Sequence, residues 1–362
     1  MNLIGGLKDS TYTEVKAFSN RGKLLPRTSL ETLAESRGIK DLVTRLKATQ
    51  YNESVSSDSI SHNAESLEMA FKKQLVTVEK RLSNTWPNSD FLEAYYWKHV
   101  ISNLKTVLKG KALGFSEDEI NKRINLTAEE NINRRDLIAG AISAQNLEEA
   151  VKVLKKSEFG NMIESASKIY SDNKDVKVFD VFLDKALYEM ILAEYFRIAY
   201  SKRIPKKSKE EGKQIRELIA LEIDGYNIIN LMRAKTWNLT QPETRDLVIK
   251  AEFEINTETI DKMILAESVD EVVNIINSSN YKGLLQNMKT EIETISQLED
   301  AFENKIYNLA SKKLRWQVTG IGIIFSVIKL MELEVKNLAT IAFGIEQGMN
   351  SNDIISKLIF VN

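Results

Sequence analysis

Side chains able to hold a metal, move a proton or attack a substrate are few and scattered in this sequence. The two histidines, His62 and His99, lie far apart, and neither belongs to a zinc motif. Each therefore reads as a surface or packing residue. The absence of cysteine removes thiolate nucleophiles, thiolate metal ligands and disulfides together, and it fits a reducing compartment. Gly110-Lys111 lacks the upstream glycine and the following Ser or Thr of a phosphate-binding loop, and Gly320-Ile321-Gly322 lacks the third glycine of a dinucleotide site. No serine elbow is present, and Glu and Lys alternate as on solvated helix faces. We expect no catalytic residue, no cofactor and no metal.

Charge excludes further classes. Fifty basic and fifty-one acidic residues leave a net charge of −1, too little to hold nucleic acid through a global field. The longest apolar stretch, residues 318–328, is interrupted by Thr319 and Ser326 and ended by Lys329. That is well short of the roughly 20 apolar residues a spanning helix needs, so it reads as a buried core helix. The opening Met1-Asn2-Leu3-Ile4-Gly5-Gly6-Leu7-Lys8-Asp9 lacks the pattern of a signal peptide. Any membrane association is expected to run through a protein partner, without direct insertion.

The elements that would position side chains are helices. Only four prolines interrupt a chain rich in Leu, Ile, Lys, Glu and Ala, which makes the fold class all-α. One pattern occurs three times. Asn103-Leu104, Asn227-Ile228 and Asn337-Leu338 are each followed by an aliphatic residue four positions after the Asn (Val107, Leu231, Ile341) and by a small residue seven positions after it (Gly110, Ala234, Gly344). A turn residue closes each copy: Gly114, Asn238 and Gly348. Upstream, an amphipathic stretch ends each time in an aliphatic-x-x-(Ser/Thr)-x-aromatic stop: Leu46, Thr49 and Tyr51; Leu154, Ser157 and Phe159; Ile276, Ser279 and Tyr281. Between these landmarks lie Leu67-Glu68-Met69-Ala70-Phe71, Leu183-Asp184-Lys185-Ala186-Leu187 and Leu298-Glu299-Asp300-Ala301-Phe302. The recurrence implies three tandem helical-bundle repeats, over residues 1–130, 131–246 and 247–362.

Each turn is expected to be a helix-to-helix corner. Gly114 sits where a helix ends in a left-handed residue, and Ser116 with Glu119 forms a capping box for the next helix. Thr240 with Glu243, and Asn350 with Asp353, repeat that signal. Gly110, Ala234 and Gly344 would let another element approach closely. Asn103, Asn227 and Asn337 are expected to bond to a neighbouring helix or backbone.

The strings Asn103-Leu104-Lys105-Thr106-Val107-Leu108-Lys109-Gly110-Lys111 and Glu332-Leu333-Glu334-Val335-Lys336-Asn337-Leu338, the stop at residues 46–51 and the early Arg21-Gly22-Lys23-Leu24-Leu25 together resemble the C-subunit family of A/V-type rotary ATPases, whose eukaryotic counterpart is the V-ATPase d subunit. The resemblance runs nearly end to end. Two departures stand out: Ala339 replaces a residue that is often basic, and the first copy has Lys98 and Val100 where the others have Glu222 and Asp224, or Glu332 and Glu334.

The resemblance implies a non-catalytic central-stalk component, cytoplasmic and peripheral to the membrane. Its repeats would form a pseudo-threefold funnel that joins the central-shaft subunits to the membrane proteolipid ring and transmits torque. Lys105, Lys109, Lys111, Arg233 and Lys235 flank the apolar stripes and are the candidate interface residues. A helical-repeat adaptor of an unrelated complex is the alternative, and a helical enzyme a more distant one. The basic-then-acidic stretch at 202–211 reads as an exposed loop, and the polar stretch at 52–59 as a helix connection. Tyr95, Tyr96, Trp97 and Trp237 read as packing residues.

Overall fold

Apolar residues at helical spacing build the long elements. Leu67, Phe71, Leu75 and Leu82 form one buried stripe, and every residue from Ile321 to Lys329 is buried. A fully buried Leu, Ile or Phe contributes about 1.5–3 kcal/mol, so such stripes, rather than intrinsic propensity, hold these helices in place. The computed structural model describes residues 10–56, 63–87, 90–200, 206–284, 290–317 and 319–361. Among the described residues there are helices and no strands.

The chain divides into two compact units. The first combines Met1–Val153 with Ala310–Asn362. It contains α1 (Ser10–Arg21), α2 (Arg27–Ala34), α3 (Ile39–Leu46), α4 (Asn52–Val55), α5 (Ala64–Thr85), α6 (Asp90–Ala112), α7 (Glu117–Asn121), α8 (Thr127–Asn131), α9 (Arg135–Ser143) and nearly all of α10 (Leu147–Leu154). The second, Leu154–Leu309, contains α11 (Gly160–Asn173), α12 (Lys177–Tyr200), α13 (Lys206–Thr236), α14 (Gln241–Leu247), α15 (Thr257–Leu265), α16 (Val269–Asn277) and most of α17 (Glu291–Trp316). The end of α17, α18 (Ile321–Glu346) and α19 (Ser351–Ser356) return to the first unit.

One long helix anchors each unit. In the first, α18 packs along α5 and against α1, α2, α3 and α19. In the second, α13 packs on α12, α14, α15 and α16. α13 begins at Lys206, so residues 206–211 are helical where the sequence reads as a loop. The physical reason is that Pro205 lies just before the first turn, where proline is tolerated, and Lys and Glu are good helix formers. The polar stretch at 52–59 likewise starts with the short helix α4, while residues 57–59, His62 and residues 201–205 lie outside the described residues. The apolar run at 318–328 is the buried start of α18 from Ile321 onward. Tyr95 and Tyr96 are buried, whereas Trp97 and Trp237 are half-buried.

Candidate functional site

The three asparagines make the same pair of bonds. Asn103 donates from Nδ2 to the carbonyl of Asn125 (2.8 Å) and accepts its N–H on Oδ1 (3.2 Å). Asn227 does the same with Ile249 (3.0 and 2.8 Å), and Asn337 with Ile359 (2.9 and 3.0 Å). Each partner lies 22 residues downstream, beyond the corner and its short helix. A primary amide offers one donor and one acceptor side by side, which is what an extended backbone segment requires. The long helix is thereby fastened to the non-helical segment that follows it.

The corners between these points also coincide. Gly114, Asn238 and Gly348 all have positive φ, at 76°, 52° and 71°. The next N–H in each case returns to the carbonyl of the small residue: Phe115 to Gly110, Leu239 to Ala234 and Met349 to Gly344, at 2.9, 3.0 and 2.9 Å. Ser116 and Thr240 close capping boxes with Glu119 and Glu243, and the Asn350 side chain accepts from the N–H of Asp353. A methyl group added at Gly110 or Gly344 would lie 2.8 Å from Ile120 or 2.7 Å from Ile354. In the second copy the corresponding residues are Ala234 and Thr244, both fully buried, so a larger residue on the helix is matched by a smaller one opposite.

The aromatic stops share a turn as well. Thr49, Ser157 and Ser279 donate their hydroxyls to the carbonyl three residues back (2.7, 2.6 and 2.7 Å) and accept the N–H two residues on. This turn directs Tyr51 and Tyr281 to buried carboxylates. The Tyr51 hydroxyl donates to Glu334 (2.8 Å), and the Tyr281 hydroxyl to Asp224 (2.7 Å). Glu334 and Asp224 each precede their own Asn by three positions. Burial pushes the Asp224 carboxyl up to about 6 despite the Tyr281 bond, and burial also raises Glu334 despite its bonds from Leu25, Tyr51 and Gln50.

In the first unit the helices α6 and α18 meet through residues at matching positions of the repeat. Phe91 lies edge-on to Phe325 (5.3 Å), Lys329 sits over the Tyr95 ring (4.6 Å), and Lys98 pairs with Glu332. Lys98 also reaches the buried Glu79 (2.9 Å), which bonds His99 (2.7 Å), while Tyr95 donates to Glu332 (2.8 Å) and Lys329 lies 3.3 Å from it. Burial alone would raise both acids. For Glu332, Lys329 and Lys98 outweigh it and hold the carboxyl at about 2; for Glu79, Lys98 and His99 lower it below the usual range.

His99 and Glu332 line a groove of about 580 Å³ with walls from Leu75, Val76, Val335 and Phe343. Lys72, Lys336 and Lys357 also line it. The groove offers apolar walls and fixed charges, which suit the binding of another chain. Among the described residues no group of His, Cys, Asp and Glu is arranged to hold a metal ion.

The basic candidates are divided between the units. Lys105, Lys109 and Lys111 lie half-buried along α6 in the first; Arg233 and Lys235 lie at the end of α13 in the second. Lys111 and Lys235, at matching positions, donate to the carbonyls of Ala144 and Ile264 at the ends of helices, where a cation also meets the negative pole of the helix dipole. Burial lowers the Lys235 ammonium. Arg233 pairs with Glu299 and donates to Asn230 (2.9 Å). Sequence reasoning missed Glu79, and although it marked Glu334, Asp224, Tyr51 and Tyr281 as repeat positions it did not show that these hydroxyls meet these acids. A usable signal exists: Tyr stands at the stop in the first and third copies and an acid stands before the Asn in the second and third, whereas Phe159 and Val100 fill the remaining positions without a polar group.

The chain resembles the C subunit of the A-type ATP synthase of Methanocaldococcus jannaschii, at 23% identity over 354 residues, covering 96% of this chain and 86% of that protein. The corresponding A-type ATP synthase proteins of Thermococcus onnurineus and Methanosarcina mazei are 22% and 24% identical, covering 95% and 98% of this chain and 88% and 94% of their own lengths. A family model for the ATP synthase (C/AC39) subunit matches residues 13–357. With the match running through both units and all three corners, the chain belongs to the ATP synthase (C/AC39) subunit family.

Proposed function

We propose that the protein is a non-catalytic central-stalk component of an A/V-type rotary ATPase, cytoplasmic and peripheral to the membrane. It joins the central-shaft subunits to the membrane proteolipid ring and passes torque between them during coupled ATP turnover and ion transport. In this reading residues 1–130, 131–246 and 247–362 are three repeats around a pseudo-threefold axis that form a funnel. Lys105, Lys109, Lys111, Arg233 and Lys235 belong to its contact surface.

The observation that supports the reading best is the asparagine bond pair, found three times at the same place in the repeat. A part that transmits torque must not yield at its corners. Each corner here is closed by a two-bond amide link, a left-handed turn and a capped helix, so bending it breaks several hydrogen bonds at about 1 kcal/mol each. No helix among the described residues is long and apolar enough to cross a membrane, so attachment to a ring would pass through protein contacts or the membrane surface.

The test is purification of the tagged, full-length protein from native membranes in mild detergent. Shaft subunits and the proteolipid ring should co-purify, and charge reversal at Lys105 and Lys109 should weaken that recovery. Recovery of a different assembly without either partner would refute the proposal.

A further inference from the structure

Ser66, Met69, Lys73, Thr77 and Arg81 recur at helical spacing and so share one face of α5, along about 22 Å of its length. In the first unit that face forms one wall of a groove of about 1010 Å³, and Glu53 and Ser54 of α4 and Lys122, Ile124 and Leu126 form the others. Local contacts hold the walls. α4 and α8 both pack on α5, Ser54 donates to the Gln74 side-chain oxygen (2.5 Å), and Gln74 donates to the Gln50 carbonyl (3.3 Å). The apolar lining consists of Ile124, which is buried, and Met69, Ala70, Val78 and Leu126, which are half-buried. Lys73, Arg81 and Lys122 stand exposed along the groove, and none of them has an ion-pair partner among the described residues. Of the two acids in the lining, Glu65 is paired with Arg123 (2.9 Å), which leaves Glu53 alone against three cations.

The second copy shows that this charge is not inherent in the repeat. With Leu67 matched to Leu183 and Asn103 to Asn227, the positions of Lys73 and Lys122 are held by Glu189 and Asp246. These two acids line a groove of about 790 Å³ at the same place in the second unit. There the charges are matched internally, Lys185 with Glu189 (3.7 Å) and Arg245 with Asp261 (2.5 Å). The repeat thus supplies the concavity, and only the first copy leaves its cations unmatched. We propose that the groove of the first unit docks an acidic amphipathic helix of a protein partner, with apolar side chains on the Met69, Val78 and Ile124 lining and carboxylates at Lys73, Arg81 and Lys122. A helix about 10 Å wide would fill the groove over about two to three turns, and Met69 adapts readily to the shape of an apolar partner. Unmatched cations beside an apolar floor select acids on that partner. Other anionic surfaces fit less well. A bilayer is flat and would leave the floor uncovered, and none of the described lining residues is an aromatic on which a nucleic-acid base could stack.

Binding by the isolated chain does not depend on the shaft-and-ring reading, so either proposal can fail alone. The test is fluorescence anisotropy of the full-length protein with labelled helical peptides about 18 residues long, carrying Leu at helical spacing and either Glu or Gln beside it. The Glu peptide should bind, less tightly as salt rises, and the Gln peptide about tenfold more weakly. A photo-crosslinker on its Leu face should label α5 between residues 66 and 81. Lys73→Glu with Lys122→Asp, which copies the second unit, should weaken binding about thirtyfold, and Met69→Ala several-fold, with unchanged far-UV circular dichroism. Exposed Lys152→Gln, on α10, should leave binding unchanged. Failure of the Glu peptide to bind, equal binding of the Gln peptide, or indifference to the double substitution would overturn the proposal. So would binding of phosphatidylglycerol vesicles or a single-stranded oligonucleotide through Lys73 and Lys122 without peptide binding.

Discussion

Both units place a tyrosine hydroxyl on a buried carboxylate of their anchoring helix, yet they stabilise that acid differently. Glu334 in the first unit accepts from Tyr51, Gln50 and the Leu25 N–H, and close by on the same helix α18 carries the Lys329 and Glu332 charges that link to Lys98 and Glu79. Asp224 in the second unit depends on Tyr281 and the Glu254 N–H. The difference teaches that one repeated position can hold an acid either within a surplus of donors or near the minimum, and that the response to acid should differ accordingly.

Removing a charge from the network of the first unit should have the largest effect. Lys98→Ala leaves Glu79 and Glu332 without their shared cation, which should cost about 3–5 kcal/mol. Hydrogen exchange along α5 and α18 should rise while α13 keeps its protection. Equal loss in both units would break the comparison.

The pH response follows in size. The Asp224 carboxyl is raised by burial, so its contribution to stability is fully present below its ordinary value near 3.8 and is lost as pH rises through about 6. That amounts to about 3 kcal/mol favouring the second unit over the whole range from neutral pH to below 3.8, a little under half of it present by about pH 5, and Asp224→Asn should flatten it. Glu332 has the opposite sign. Held down to about 2 against its ordinary 4.5, it stabilises above that ordinary value and its contribution is lost as pH falls through about 2. Protection of α13 should therefore rise between pH 7 and pH 5; on α18 the raised Glu334 works in the same direction and the lowered Glu332 against it, so any rise there should be smaller and turn to loss in stronger acid.

Removing single hydroxyls sharpens the comparison further. Tyr281→Phe should cost about 2 kcal/mol and Tyr51→Phe about 1 kcal/mol, since Glu334 keeps two other donors and Asp224 keeps fewer. Chemical denaturation followed by exchange in each unit would measure both. The smallest effect is expected at the corner. Gly344→Ala gains about 1 kcal/mol in helix propensity but forces a methyl into Ile354, a strain of about 1–3 kcal/mol, so the net loss should be about 1 kcal/mol. Adding Ile354→Thr, which copies the Ala234 and Thr244 pair, should recover part of it.

Much of the local architecture was legible because turn chemistry is local. Gly114, Ser116 with Glu119, Thr240 with Glu243 and the Thr49, Ser157 and Ser279 stops act on groups within a few residues, so sequence spacing exposes them. The partners of the asparagines were not legible, because each bonds to a backbone, and Asn125, Ile249 and Ile359 share no side-chain feature. Nor was the meeting of Tyr51 with Glu334 across 283 positions, since periodicity reports which face is buried and not what lies against it. Nor did spacing show that Lys111 and Lys235 donate to helix-end carbonyls, because it cannot distinguish a solvated ammonium from one capping a helix end.

The first unit draws on both flanks of the polypeptide, whereas the second is one continuous stretch. During synthesis on the ribosome, residues 154–309 can close their own contacts as they emerge. Residues 10–153 must wait for α18, because the carboxylate that receives Leu25, Gln50 and Tyr51 is made about 280–310 positions later. The nascent N-terminal portion therefore spends most of translation with the face of α5 that meets α18 uncovered, the stage at which a chaperone would be most useful.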